Sequence, residues 1–219
     1  MTVSTEEKVV FDEPNQKAEL TPTADEIRQM YKVIEEDVLP KTRKGVKEGN
    51  KVFGAAILSP ELQCKFCETN AETVCPIFHG EVHCIYKWSQ ATPPAERGPT
   101  AQSSIFLSTH EPCCMCISSI LWAGFPVVYY FFPYSVTTAQ GIPHDIKTMH
   151  ELWGVKTYRK QNAYLSTACL MDLVLALPDG PDKTELVETQ NRLLKAYDEM
   201  ANYYHTEKAN NPENSLVLG

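Results

Sequence analysis

The chain is poor in three things. It has only 10 glycines in 219 residues and no internal repeat, which argues against collagen-like, solenoid and disordered architectures. It is short of positive charge: 20 Lys plus Arg against 28 Asp plus Glu leave a formal net charge of −8. Clamping a phosphate backbone over a wide surface takes clustered basic residues, so this balance argues against a general nucleic-acid binder while still permitting a local basic groove. Finally, it lacks a long unbroken hydrophobic run. The longest uncharged apolar stretch, 117–133, is interrupted by Ser118, Ser119, Gly124 and Pro126, whereas a membrane span needs roughly 20 predominantly apolar residues. Met1 to Pro14 is polar and acidic, without the pattern of a secretory signal. The expectation is a soluble, cytoplasmic protein with no membrane partner.

What is present suits a folded domain of ordinary size with something appended: 43% hydrophobic and 22% charged residues. The eight cysteines (64, 67, 75, 84, 113, 114, 116 and 169) read as metal ligands or free thiols, because nothing points to an oxidising compartment. Residues 1–22 read as a flexible lead-in. Thr23 to Glu26 is a capping-box pattern, and Ile27, Met30, Tyr31, Ile34 and Val38 behind it recur at helical spacing up to Pro40, which is expected to close the helix. Lys41, Arg43, Lys44 and Lys47 then form a basic cluster, read as a solvated helix end or loop.

Val52–Leu58 and Leu62–Cys67 read as a hairpin around Ser59-Pro60-Glu61, with a helix from about His79 to Trp88. Ser103–Ser108 is the next strand, a helix opens at Pro112 and lasts to about Ala123, and Val127–Phe132 has the apolar run of a strand buried on both faces. Asp145–Trp153 suggests a short helix, 163–170 is undecided, and an amphipathic helix follows the break at 178–182. Its apolar stripe (Leu186, Leu193, Tyr197, Met200, Tyr204) is expected to be exposed and to support a homodimer, and about the last ten residues are expected to be disordered. Alternating strands and helices imply an α/β three-layer sandwich, α/β/α, around a central mixed sheet. The expected division is a lead-in over 1–22, a catalytic domain over 23–177, and a C-terminal helix and tail over 178–219.

Two segments carry the chemistry. His79-Gly80-Glu81 and Pro112-Cys113-Cys114-Met115-Cys116 each lie at a predicted helix start. Cys113 and Cys116, three apart there, can face one point, and the helix N-terminus favours thiolate. With His79 they make three ligands and leave one tetrahedral position open, the arrangement of a catalytic zinc site. Glu81 stands two residues beyond the histidine, placed to take a proton from a zinc-bound water and pass it on. H-x-E…P-C-x-x-C is the signature of the zinc-dependent nucleobase deaminases.

On these residues the chain resembles the cytidine deaminase superfamily over roughly residues 24–155, and in particular its guanine and cytosine deaminase branch. Phe53-Gly54-Ala55 is similar to the FGA segment of bacterial guanine deaminases, and His79-Gly80-Glu81 to the HGE of fungal cytosine deaminases. Glu111 to Cys116 resembles the EPCxMC of guanine and tRNA adenosine deaminases, and Val128-Tyr129-Tyr130 again looks guanine-deaminase-like. The resemblance implies hydrolytic deamination of a small amino-substituted heterocycle, a free nucleobase or nucleoside, guanine-type purines first and cytosine second. Zinc-bound water would be the nucleophile and Glu81 the proton shuttle. It further implies substrate contacts at Asn70 and Asp145, with Phe53 beside them. The family's usual Asp-Pro-Thr before the histidine is replaced here by 74–78, and Ile142-Pro143-His144 also departs from its pattern.

Plainer readings stand alongside. Cys114 could complete a closed structural site, but adjacent helical residues point about 100° apart. Cys64 and Cys67 at i and i+3 of a strand face opposite sides unless the strand is broken there, so they read as ordinary half-buried cysteines. His83 reads as packing or pocket lining, His110 as a candidate substrate contact, and Trp88, Trp122 and Trp153 as core or interface residues. A tRNA adenosine deaminase and a non-catalytic scaffold are the alternative functions.

Overall fold

The computed structural model describes residues 16–210; the expected lead-in up to residue 15 and the tail from residue 211 lie outside the described residues. Strand β1 (Gly54–Leu58) pairs antiparallel with β2 (Cys64–Thr69) and with β3 (Ile105–His110), and β4 (Val127–Phe132) and β5 (Ser166–Cys169) extend the sheet from β3 in parallel. The order is β2-β1-β3-β4-β5.

Helices cover both faces, so the apolar strands are buried on both sides. Neighbouring residues of β1, β3 and the first half of β4 serve opposite layers. Leu58, Leu107 and Phe131 join a core with α1 (Ala24–Val33), α2 (Leu39–Lys47), α8 (Leu170–Ala176) and α9 (Pro181–Glu207). Ile57, Phe106 and Val128 join a second core with α3 (Gly80–Ala91), α4 (Pro94–Ser103) and α5 (Cys114–Ala123). The two short helices α6 (Tyr134–Ala139) and α7 (His144–Trp153) close over one end. This is the expected three-layer α/β fold with a long C-terminal helix.

Several local expectations are corrected. Pro40 does not close the first helix. A π turn over Ile34–Val38, closed by Leu39 N–H donating to Ile34 O, carries the chain past it. Pro40 then sits in the first turn of α2, where its missing donor costs least. The apolar stripe of α9 is not exposed: Leu186, Leu193, Tyr197, Met200 and Tyr204 are buried in the core shared with α1 and the sheet. An amphipathic helix of this length finds its partner within the chain, so its stripe gives no support to a dimer. The described end of the expected flexible lead-in is also tied down, with Lys17 N–H donating to Asn162 O (2.9 Å) and Ser166 Oγ donating to Ala18 O (2.6 Å).

Strand β2 is broken. Ile57 pairs with Phe66 but Leu58 pairs with Cys64, so Lys65 is an extra residue bulged out of the ladder. The alternation therefore shifts by one, and Cys64 and Cys67 share a face.

Candidate metal and substrate site

One edge of the sheet gathers the start of β1 and the ends of β2, β3 and β4, as the pairs Gly54↔Thr69, Ala55↔Ser108 and Ser108↔Tyr130 show. Both signature segments leave from this edge. His79 caps the N-terminus of α3 with extended backbone, and Cys113 does the same for α5. The start of α3 lies directly on β1. A Cβ on Gly80 would come within 2.8 Å of Gly54 Cα, so two glycines back to back let the helix approach.

His79, Cys113 and Cys116 place one donor atom each within 4.8 Å of one another. Cys113 Sγ and His79 Nδ1 are 3.7 Å apart. Tetrahedral ligation with Zn–S of about 2.3 Å and Zn–N of about 2.05 Å sets sulfur and nitrogen roughly 3.6 Å apart, so the spacing suits zinc. The donor chemistry agrees: burial holds His79 below its ordinary pKa, hence neutral, and loss of hydration pushes the Cys116 thiol up to about 12, so ionisation there calls for a cation. Cys114 is not part of this cluster; its sulfur faces Thr148 Oγ1 at 3.7 Å.

Glu81 is buried behind the cluster. The Ser108 hydroxyl donates to its Oε1 (2.9 Å), and burial raises its pKa. In front lies a cavity of about 260 Å³ lined by His79, Cys113, Cys114, Lys51, Asp145 and Thr148, with an apolar rim that includes Ile77 and Leu152. Asp145, in the first turn of α7, is pushed up to about 8, chiefly by burial and then by the charge of Glu81.

The other expected substrate contacts do not line this cavity. Asn70 is buried with both ends of its amide engaged: Oδ1 accepts from Gly80 N–H (2.5 Å) and Nδ2 donates to Glu72 Oε2 (2.9 Å). Phe53 lies between two histidine rings, 6.3 Å from that of His79 and 4.7 Å from that of His110. His110 is enclosed by Phe53, Phe132 and Tyr197, its Nδ1 beside Thr109 Oγ1 and its Nε2 beside Gln140 Oε1, each at 3.0 Å. Burial lowers its pKa to about 3. His83 packs on Phe78, with Nδ1 at 2.9 Å from Thr69 O. Trp88 is core, while Trp122 and Trp153 are exposed.

Sequence reasoning missed Lys51 and Glu72. The Glu72 side chain is 1% exposed; it accepts from Lys51 Nζ (2.8 Å) and Lys51 N–H (3.2 Å), and its Oε1 lies 3.6 Å from His79 Nε2. A carboxylate behind a metal-binding histidine commonly fixes its ring orientation. Only contacts between distant segments reveal it.

An α/β sandwich with one imidazole and two thiols converging at helix starts, an open cavity before them and a buried carboxyl behind, defines a mononuclear zinc-site protein of the hydrolytic kind. Residues 29–132 match the model of the cytidine and deoxycytidylate deaminase zinc-binding region. That match places a cytidine-deaminase-type zinc-binding region over residues 29–132. No curated protein matches it in sequence. Similar solved structures include a guanine deaminase from Bacillus subtilis (22% identity, TM-score 0.45, covering 58% of this chain and 83% of that one). A guanine deaminase from Nitrosomonas europaea is also similar (12%, 0.42, 82% and 90%), as is a structure from work on tRNA A34 deaminases that edit the wobble position (15%, 0.42, 63% and 97%). Among the described residues no helix is long and apolar enough to cross a membrane.

Proposed function

We propose that the protein hydrolytically deaminates a small amino-substituted heterocycle, a free guanine-type nucleobase first and cytosine second, with release of ammonia. The observation that carries this reading is the His79–Cys113–Cys116 cluster opening onto a cavity that Asp145 also lines. His79, Cys113 and Cys116 would hold the metal; when bound, zinc supplies a Lewis acid that brings water to nucleophilic strength near neutral pH. Glu81, fixed by Ser108 and shielded from bulk water, holds a proton and moves it first to the ring nitrogen beside the reacting carbon and then to the departing amine. Asp145 meets the N–H edge of the ring. A carboxyl suits the adjacent amine and ring N–H of a guanine-type base, and a cavity below the roughly 300 Å³ where drug-sized pockets begin suits a single heterocycle.

In this reading Asn70 acts from behind, anchoring the start of α3 through Gly80, and Phe53 and His110 form the wall that supports His79. The catalytic unit spans 23–177 with the C-terminal helix packed on it, in the cytoplasm and as a homodimer. Trp122, 87% exposed on α5, supports the dimer; a monomer by light scattering at micromolar concentration contradicts it.

The test is ammonia release by the zinc-loaded protein from guanine, guanosine, cytosine, cytidine, adenosine, aminated triazines and a tRNA anticodon stem. Turnover of guanine, lost about 10²–10⁴-fold in Glu81→Ala with zinc retained, is expected. Silence across the panel with zinc bound overturns the reading in favour of a non-catalytic scaffold, and activity confined to the tRNA stem overturns the choice of a free base.

A further inference from the structure

We propose that Cys64 and Cys67 are a reactive dithiol that closes to an intramolecular disulfide by exchange with a low-molecular-weight disulfide of the glutathione class. On a regular strand, residues i and i+3 face opposite sides and stand about 10 Å apart, given a rise of about 3.3 Å per residue. The bulge at Lys65 abolishes that separation. Cys67 pairs with Ala56 and Cys64 with Leu58, two positions apart on β1, so both cysteines occupy successive sites on one face. Both pack against the core that holds Ala56 and Leu58, while Phe66 between them packs on the opposite core. Successive same-face sites lie about 6.6 Å apart before the bend of the bulge shortens them, and disulfides accept Cα separations of about 4.4–6.8 Å.

Cys64 Sγ donates to Phe66 O and Cys67 Sγ to Asp37 O, each at 3.6 Å, and both cysteines are half-buried on β2, which is an edge strand. Lys41, whose Nζ donates to Cys67 O (2.6 Å), brings a positive charge to this end of the pair. The neighbouring Cys64 thiol and then the Lys41 charge hold the Cys67 thiol below its ordinary pKa, whereas Cys64 is raised. Cys67 is thus the attacking sulfur and Cys64 the resolving one. Cys67 thiolate attacks the disulfide RS–SR, forming Cys67–S–SR and releasing RS⁻. Cys64, giving up its proton, then attacks the Cys67 sulfur and displaces the second RS⁻. In sum, two protein thiols and RS–SR yield one protein disulfide and two RSH. The other cysteines are placed differently: Cys113 and Cys116 in the metal cluster, Cys84, Cys114 and Cys169 buried, and Cys75 half-buried outside the sheet.

The experiment treats the full-length, zinc-loaded protein with excess glutathione disulfide, blocks remaining thiols with N-ethylmaleimide, and maps the peptides by mass. The expected product joins the Cys64 and Cys67 peptides with loss of two hydrogens. Cys64→Ser should stop at one glutathione on Cys67, and Cys67→Ser should slow thiol loss at Cys64 about tenfold or more. Wild-type protein with both cysteines still alkylated, or with either linked to a different cysteine, overturns the proposal. Equal rates at Cys64 in wild type and Cys67→Ser overturn the assignment of the attacking sulfur.

Discussion

Glu72→Ala tests how the site is supported from behind. The Glu72 carboxylate holds Lys51 Nζ at 2.8 Å, Lys51 N–H at 3.2 Å and Asn70 Nδ2 at 2.9 Å, with side-chain exposures of 1% for Glu72 and 7% for Lys51. Removing the carboxylate leaves a buried ammonium without a counter-charge, a loss of about 3–5 kcal/mol. For a chain of this size each kcal/mol shifts Tm by about 2–4 °C, so Tm should fall by roughly 6–20 °C. Lys51→Met with Glu72→Gln removes both charges at similar volume and should recover most of that loss, because a buried pair contributes little net stability over apolar groups of the same shape. Circular dichroism melts of the wild type, Lys51→Met, Glu72→Gln and the double variant complete the cycle, with Glu72→Ala alongside. Since Glu72 Oε1 also lies behind His79 Nε2, zinc affinity should drop about 10–100-fold in Glu72→Ala. A Tm loss below about 2 °C, or a double variant no more stable than Glu72→Ala, refutes the reasoning.

The other expectations concern the site and its wall. Cys116→Ser should lose its zinc by metal analysis, and unchanged content would remove Cys116 from the ligand set. Asp145→Asn should keep zinc and raise KM for the heterocycle about 10–100-fold, the scale of leaving one buried ring N–H without its acceptor; a fall in kcat at constant KM contradicts the contact. His110 is neutral in the fold, with its pKa lowered to about 3 by burial, while the unfolded chain takes up its proton near 6.5. Stability should therefore fall as pH drops below about 6.5, by about 2 kcal/mol at pH 5. The acid limb of the urea-unfolding stability curve should flatten by about one proton in His110→Gln. An unchanged slope is the contrary result.

Much of the fold was legible because its signals are local. The capping box at Thr23 and Glu26 forms with both hydrogen bonds present, and the apolar run of β4 is buried on both faces, as its sequence implies. The helix α4 was not legible: Gly98 and Pro99 both disfavour a helix interior, and no element is expected there from the sequence, whereas Ala101 packs into the core beneath. Similarly, α6 depends on Tyr134 N–H donating to Glu111 Oε2 and Tyr134 OH to Pro112 O, contacts that no local pattern announces. Within the site, His79, Cys113 and Cys116 were readable because zinc chemistry dictates residue type and spacing together. Asn70, Phe53 and His110, expected as substrate contacts, are not among the residues that line the cavity before the metal cluster, since a family position does not say which way a side chain faces. The bulge at Lys65 is a register event visible only across two strands, and it reverses the reading of Cys64 and Cys67 as facing apart.

X-ray absorption at the zinc edge of the full-length protein tests the central claim most directly, because everything proposed for the site depends on one imidazole and two thiolates with a position left open. The account predicts about one zinc per chain with two sulfur neighbours at about 2.3 Å and light atoms at about 2.0–2.1 Å. A shell of three or four sulfurs, drawing in Cys114, or a protein that binds no zinc, would contradict it.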